Sequence, residues 1–189
     1  RPRPGARATP DLTADTDAIV ERLWSPWRLA YVTASSERSG CVLCDAATGA
    51  AADLVLVRGT RAYVVLNLYP YNNGHLMVVP NRHVSTLGAL TKDELSEMMR
   101  FAQDAEAALS DAYQPHGINV GVNLGRAAGA GIADHVHIHL VPRWNGDTSF
   151  MSVIGEVRVL PEDLAATSTR LRPRFERLKA AWPADMHTT

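Results

Sequence analysis

His135, His137 and His139 alternate with Val136 and Ile138 in the run D-H-V-H-I-H-L-V-P. On a β-strand this spacing turns all three imidazoles to one face and the apolar residues to the other. Three ring systems lining a buried apolar face would leave nitrogens without water, so the run points to chemistry rather than core filling. At about 3.3 Å per residue the outer two histidines lie roughly 13 Å apart, too far to share one ion or one phosphorus atom, whereas His137 is roughly 6.6 Å from each. Their roles must therefore differ, and the central His137 is the natural nucleophile or ligand. The chain's two cysteines, Cys41 and Cys44, form a second close pair. Such a pair suggests metal binding or redox work before a structural disulfide. Zinc would need two more N or S ligands, for which His83 in N-R-H-V and His135 are available, while a redox pair and inert thiols are the other readings.

The elements that must carry these residues are short. L-V-L-V-R and A-Y-V-V-L-N-L-Y-P read as strands, the second closed by Pro70 and the Y-N-N-G turn signal, and H-L-M-V-V-P follows directly. Apolar runs joined by tight turns favour an antiparallel meander. From Thr91 to about Tyr113 the period changes. Leu95, Met98, Met99, Phe101, Ala102, Ala105, Ala108 and Leu109 are expected on one side of a helix opened by a Thr91/Glu94 capping box and stopped by Pro115 and Gly117. I-N-V-G-V-N-L, a glycine-bearing bend and the histidine run then read as strand, loop and strand. The expected class is α+β, an antiparallel sheet with a packed amphipathic helix.

The expected organisation is a flexible arm at 1–18, an aromatic docking segment at 19–39 with Trp24, Trp27 and Tyr31, one domain at 40–150, and a C-terminal extension at 151–189. The extension holds V-I-G-E-V-R-V-L and a helical stretch from Pro161 to Ala181. With 189 residues, 46% of them hydrophobic, the chain suits one core rather than two domains. A net charge of −1 gives no general attraction to nucleic-acid polymers or anionic membranes. No apolar run approaches the roughly 20 residues of a membrane span and no secretory h-region is visible, so the expected location is the cytoplasm.

H-V-H-I-H-L-V resembles the His-x-His-x-His-x-x signature of the histidine-triad family, with x apolar. L-N-L-Y-P, N-N-G-H-L-M-V-V-P, N-L-G-R-A-A-G-A-G and P-R-W-N-G-D extend the resemblance over roughly residues 40–150. In detail the chain is similar to the actinobacterial branch that resembles diadenosine tetraphosphate phosphorylase. The resemblance implies the histidine-triad fold, a homodimer, and an adenine dinucleoside polyphosphate or nucleoside phosphoramidate as substrate. By the same resemblance His137 attacks the α-phosphorus and holds a nucleotidyl group. His139 would bond phosphate oxygens, His75 would orient the row, Asn67 would lie near the ribose, and Asn123 with Gly129 and Gly131 would line the phosphates. A structural zinc on Cys41, Cys44, His83 and His135 is also implied.

Each softer assignment has a plainer alternative: a core histidine for His75, and a turn or strand-end hydrogen bond for Asn67 and Asn123. Gly131 departs from the Gln or Ser found in relatives four residues before the first triad histidine, which leaves the acceptor, phosphate or water, open. Competing functions are hydrolysis of a phosphoramidate or adenylated metabolite, a metallohydrolase ligating its ion through His135 and His137, and a non-catalytic nucleotide sensor.

Overall fold

A computed structural model of the chain describes residues 40–49, 52–147 and 162–182. The arm, the Trp24 to Tyr31 segment and V-I-G-E-V-R-V-L lie outside the described residues. Five antiparallel strands form one sheet: β1 (Val55–Arg58), β2 (Ala62–Leu66), β3 (Leu76–Pro80), β4 (Gly117–Val122) and β5 (Ile138–Arg143). Their order is β1-β2-β3-β5-β4. The first three make the expected meander. After a helical crossover β4 takes the far edge, and β5 returns between β3 and β4. Among the described residues three α-helices accompany the sheet: α1 (Val42–Thr48), α2 (Lys92–Tyr113) and α3 (Leu164–Ala180). No helix among the described residues is long and apolar enough to cross a membrane.

Every residue of β2 and β3 is buried, because both sheet faces are covered over the first three strands. Alternation divides those residues between two apolar clusters. Val64, Leu66, Leu76 and Val78 meet Met98, Phe101, Ala105 and Leu109 of α2. Tyr63, Val65, Met77 and Val79 meet Leu43 and Ala46 of α1. The Tyr63 hydroxyl donates to the Leu43 carbonyl at 2.6 Å, which fixes the short helix bearing the two cysteines on the sheet.

The capping box of α2 is present, with Thr91 Oγ1 accepting from the Glu94 amide and the Glu94 carboxylate from the Thr91 amide. Two of the expected core residues face outward instead. Leu95 is 37% and Met99 55% exposed, because the buried stripe follows Met98, Phe101, Ala105 and Leu109 and widens through polar Glu94, Glu97 and Asp104. Glu97 is buried for a reason: its carboxylate accepts from the amides of Arg61 and Ala62 and so holds the β1–β2 turn. Gly59 must lack a side chain there, since a Cβ would stand 1.8 Å from Glu97 Oε1.

The C-terminal helix is part of the domain's core. Leu171, Phe175 and Trp182 join the α2 side of the sheet, and Trp182 Nε1 donates to buried Asp104 at 2.7 Å. Its polar face reaches the main chain at the two ends of β1. Ser168 and Arg172 donate to the Asp53 carbonyl and Lys179 to that of Arg58. The main-chain carbonyls just before β1 and at its last residue are thus occupied.

Two stability outcomes follow from the α2 cap. Thr91→Ala is expected to cost about 1 kcal/mol in chemical denaturation. The Arg82 guanidinium, helped by the amide and side chain of Thr91, pulls the Glu94 carboxyl from 4.5 down to about 2. The stability it adds is therefore full above the unfolded-state value and lost as pH falls toward 2. The Tm difference between wild type and Glu94→Gln should shrink steadily between pH 5 and pH 2 in a thermal melt series.

Candidate active site and metal centre

The three histidines do not share one strand. Sheet pairing on this segment begins at Ile138, opposite Val78 and Val122, so His135 and His137 precede β5 and only His139 lies within it. The row therefore straddles the start of β5 instead of lying along one strand. The segment is gripped by the end of β3 and the loop that leaves it. The Val84 carbonyl accepts from the Val136 amide at 2.7 Å, and the Pro80 carbonyl from His135 Nε2 at 2.9 Å. The rings of His137 and His139 stand 4.6 Å apart, edge to face, while His135 turns toward the cysteines.

His137 is 4% exposed. Its Nδ1 lies 2.8 Å from the His135 carbonyl, which can only accept, so Nδ1 carries the proton and Nε2 holds a lone pair. Burial pushes this imidazole below its ordinary value of 6.5, with the carbonyl bond opposing the shift in part, so the neutral ring prevails near pH 7.

His75, 1% exposed, closes the turn that Gly74 makes at φ 74°. The Tyr71 amide donates to His75 Nδ1 at 3.1 Å, so the His75 proton sits on Nε2 and is given to His139 Nδ1 at 3.0 Å. His139 then carries its own proton on Nε2. The two adjacent rings thus hold opposite tautomers, one with a bare Nε2 and one with an Nε2–H. Asn67 adds its amide to His75 Nδ1 at 3.3 Å, and its carbonyl oxygen accepts from the Tyr69 amide. The turn bond expected as the plainer reading of Asn67 is therefore present.

Asn123 follows β4 and, with His139, lines a cleft of about 330 Å³ on the outer face of β4 and β5. Gly125 and Gly129 take left-handed φ values of 82° and 93°, which a side chain would disfavour, and carry the chain through a tight bend toward His135. Gly131 is not among the left-handed residues. The motif reading assigned no task to Asn72, Asn119 and Asp147, which hydrogen-bond around Arg143 on the same cleft. The period-two step from His139 through Val141 was the signal that places Arg143 there.

Cys41, Cys44, His83 and His135 converge, with ligand atoms all within 4.8 Å of one another. His135 Nδ1 is 3.3 Å from Cys41 Sγ and 3.5 Å from Cys44 Sγ, and His83 Nδ1 is 3.3 Å from Cys44 Sγ. A tetrahedral zinc with ordinary bond lengths separates its ligands by about 3.3 to 3.8 Å, so two thiols and two imidazoles here suit such an ion. Pro80 holds the far nitrogen of His135 and leaves Nδ1 aimed at the sulfurs. His137 is not in this cluster, which counts against a catalytic ion shared by His135 and His137.

Residues 49–146 match the HIT domain family. The chain belongs to that family. It is 40% identical over 190 residues, covering 90% of this chain and 95% of the other, to a Mycobacterium tuberculosis protein named AP-4-A phosphorylase. It is 31% identical over 124 residues to bis(5'-adenosyl)-triphosphatase of Dictyostelium discoideum, covering 62% of this chain and 83% of that one. Among solved structures, a zinc-bound histidine-triad family protein from Mycobacterium smegmatis superposes with a TM-score of 0.62 at 28% identity, over 76% of this chain and 98% of that one. The HIT fold of this chain thus agrees with the class expected from its pattern of strands and helices.

Long-range nitrogen-15 NMR should find the proton of neutral His137 on Nδ1 and those of His75 and His139 on Nε2. A His137 ring protonated on Nε2 would contradict the hydrogen-bond assignment.

Proposed function

We propose that this chain is a nucleotidyl transferase that cleaves dinucleoside polyphosphates by way of a nucleotidyl-His137. The observation that carries this reading is the pair of opposite tautomers on the adjacent rings of His137 and His139. In this mechanism the bare Nε2 of His137 attacks an α-phosphorus, forming a P–N bond as the P–O bond to the leaving nucleotide breaks. His139 Nε2–H donates to an oxygen on the same phosphorus and stabilises its growing charge. His75 holds His139 in the tautomer that can donate.

Inorganic phosphate then attacks the phosphorus and the P–N bond breaks. Diadenosine tetraphosphate and phosphate would so give ATP and ADP. The name carried by the 40% identical relative supports this substrate and acceptor. Asn123, Gly129 and Gly131 are read as the phosphate side and Asn67 as the ribose side. Without a side chain at Gly131, contact with the acceptor at that position falls to backbone amides.

We read the four-residue cluster as a closed structural zinc site, held by Cys41, Cys44, His83 and His135. A bound ion would tie α1 to the loop after β3 and to the segment before β5, all of which meet at His135. The ion would serve only to hold these segments, and His137 keeps its place through the His135 carbonyl.

Product analysis tests the reaction. Wild-type protein with diadenosine tetraphosphate and phosphate should yield ADP and ATP, and His137→Ala should lose at least about a thousandfold in kcat. AMP and ATP formed at full rate without phosphate would identify water as the acceptor. No turnover on dinucleotides, with cleavage of adenosine phosphoramidate, would replace the proposed substrate. Elemental analysis should find about one zinc per chain, and Cys44→Ala should lower both zinc content and Tm. Metal-free protein with an unchanged Tm would end the zinc reading.

A further inference from the structure

The cleft beside His139 extends away from His137 along the outer face of β4 and β5. Alternation on β5 brings His139, Val141 and Arg143 to this face, and Asn119 stands opposite Val141 on β4. Opposite His139 is Gly121, where an added Cβ would meet nothing within 4 Å. Gly121 is not among the left-handed residues, so its backbone imposes no need for glycine. Glycine also weakens a strand, and in a strand interior it often marks a place where a ligand approaches the backbone closely. The missing side chain leaves a passage next to His139.

At the other end of the passage stands Arg143, held in one plane. Its Nε and Nη2 donate to the two carboxylate oxygens of Asp147 at 2.6 and 2.8 Å, and its Nη1 to Asn119 Oδ1 at 2.9 Å. Asp147 is itself fixed by the Asn72 amide and the Trp144 backbone amide. With three of its five N–H groups engaged and its charge matched by Asp147, Arg143 is a fixed planar guanidinium that lines the cleft with its side chain 45% exposed. Guanidinium planes stack on nucleobases. Asn119, its oxygen engaged by Arg143, has only amide donors for a base edge. Arg143 stands four steps along the strand from His139, roughly 13 Å. That suits the reach of a short polyphosphate and a ribose.

We propose that this cleft is the subsite for the leaving nucleotide: its phosphates cross the gap at Gly121 and its purine stacks on Arg143. The inference rests on the dinucleotide reading above. It assigns recognition of the second nucleoside to residues outside the histidine row.

The test compares two substrates that share the adenylyl group, diadenosine tetraphosphate and adenosine phosphoramidate, in wild type, Gly121→Val and Arg143→Lys. Valine suits a strand, and lysine keeps a positive charge opposite Asp147 while losing the planar face. For each variant kcat/KM on the dinucleotide should fall about tenfold further than on the phosphoramidate, chiefly through KM. Equal losses on the two substrates, or no loss on either, would overturn the subsite while leaving the dinucleotide reading in place. So would a changed oligomeric state by light scattering, which would make Gly121 part of a subunit contact. Wild type that cleaves the phosphoramidate and not the dinucleotide would remove the functional reading and the subsite together. Should Gly121→Val fail to fold by circular dichroism, Arg143→Lys decides.

Discussion

The hydrogen bond from His137 Nδ1 to the His135 carbonyl, 2.8 Å long, governs what this site can do. An imidazole has two nitrogens and, when neutral, one proton. With that proton held at Nδ1, the lone pair is obliged to stand at Nε2. The carbonyl belongs to the residue whose ring enters the Cys41, Cys44 and His83 cluster and whose far nitrogen bonds Pro80. His135 therefore serves two directions at once, its side chain anchoring the segment and its main chain setting the tautomer of its neighbour.

That arrangement places unusual demands on a stretch outside the β-ladder. A strand residue is positioned by hydrogen bonds on both sides, but His135 and His137 precede the pairing that begins at Ile138. The end of β3 and the loop after it do the equivalent work through the Pro80 and Val84 carbonyls. The loop in turn depends on β3, all five of whose residues are buried between α1 on one face and α2 and α3 on the other. Misplacement of about 1 Å can reduce a rate a hundredfold, so the packing of Val78 and Val79 matters to the chemistry without touching it.

Much of this was readable from residue types. Alternating Val, Leu and Tyr gave the strands, Thr91 and Glu94 the start of α2, and the spacing of Cys41 and Cys44 a clamp in need of two partners. Other features depend on contacts between distant segments. Leu95 and Met99 look like core residues on a helical wheel, yet the buried stripe turns away from them because Glu97 is drawn inward by the Arg61 and Ala62 amides. The task of α3 was equally hidden, since its period shows an apolar face but says nothing of the Asp53 and Arg58 carbonyls that Ser168, Arg172 and Lys179 bond at the ends of β1. The run P-R-W-N-G-D stood out as a motif, but the plane of Arg143 exists only once Asn119 arrives from β4.

By itself, then, the sequence determined the family, the kinds of elements and the chemical groups available, because local periodicity and short motifs are properties of neighbouring residues. Tertiary structure decided which nitrogen of each imidazole carries the proton and which groups meet. His75 and His139 are 64 residues apart in the chain, and Cys41 and His135 are 94 apart. Tautomers, ligand geometry and the width of a cleft are set by groups brought together across such distances, and no spacing along the chain encodes them.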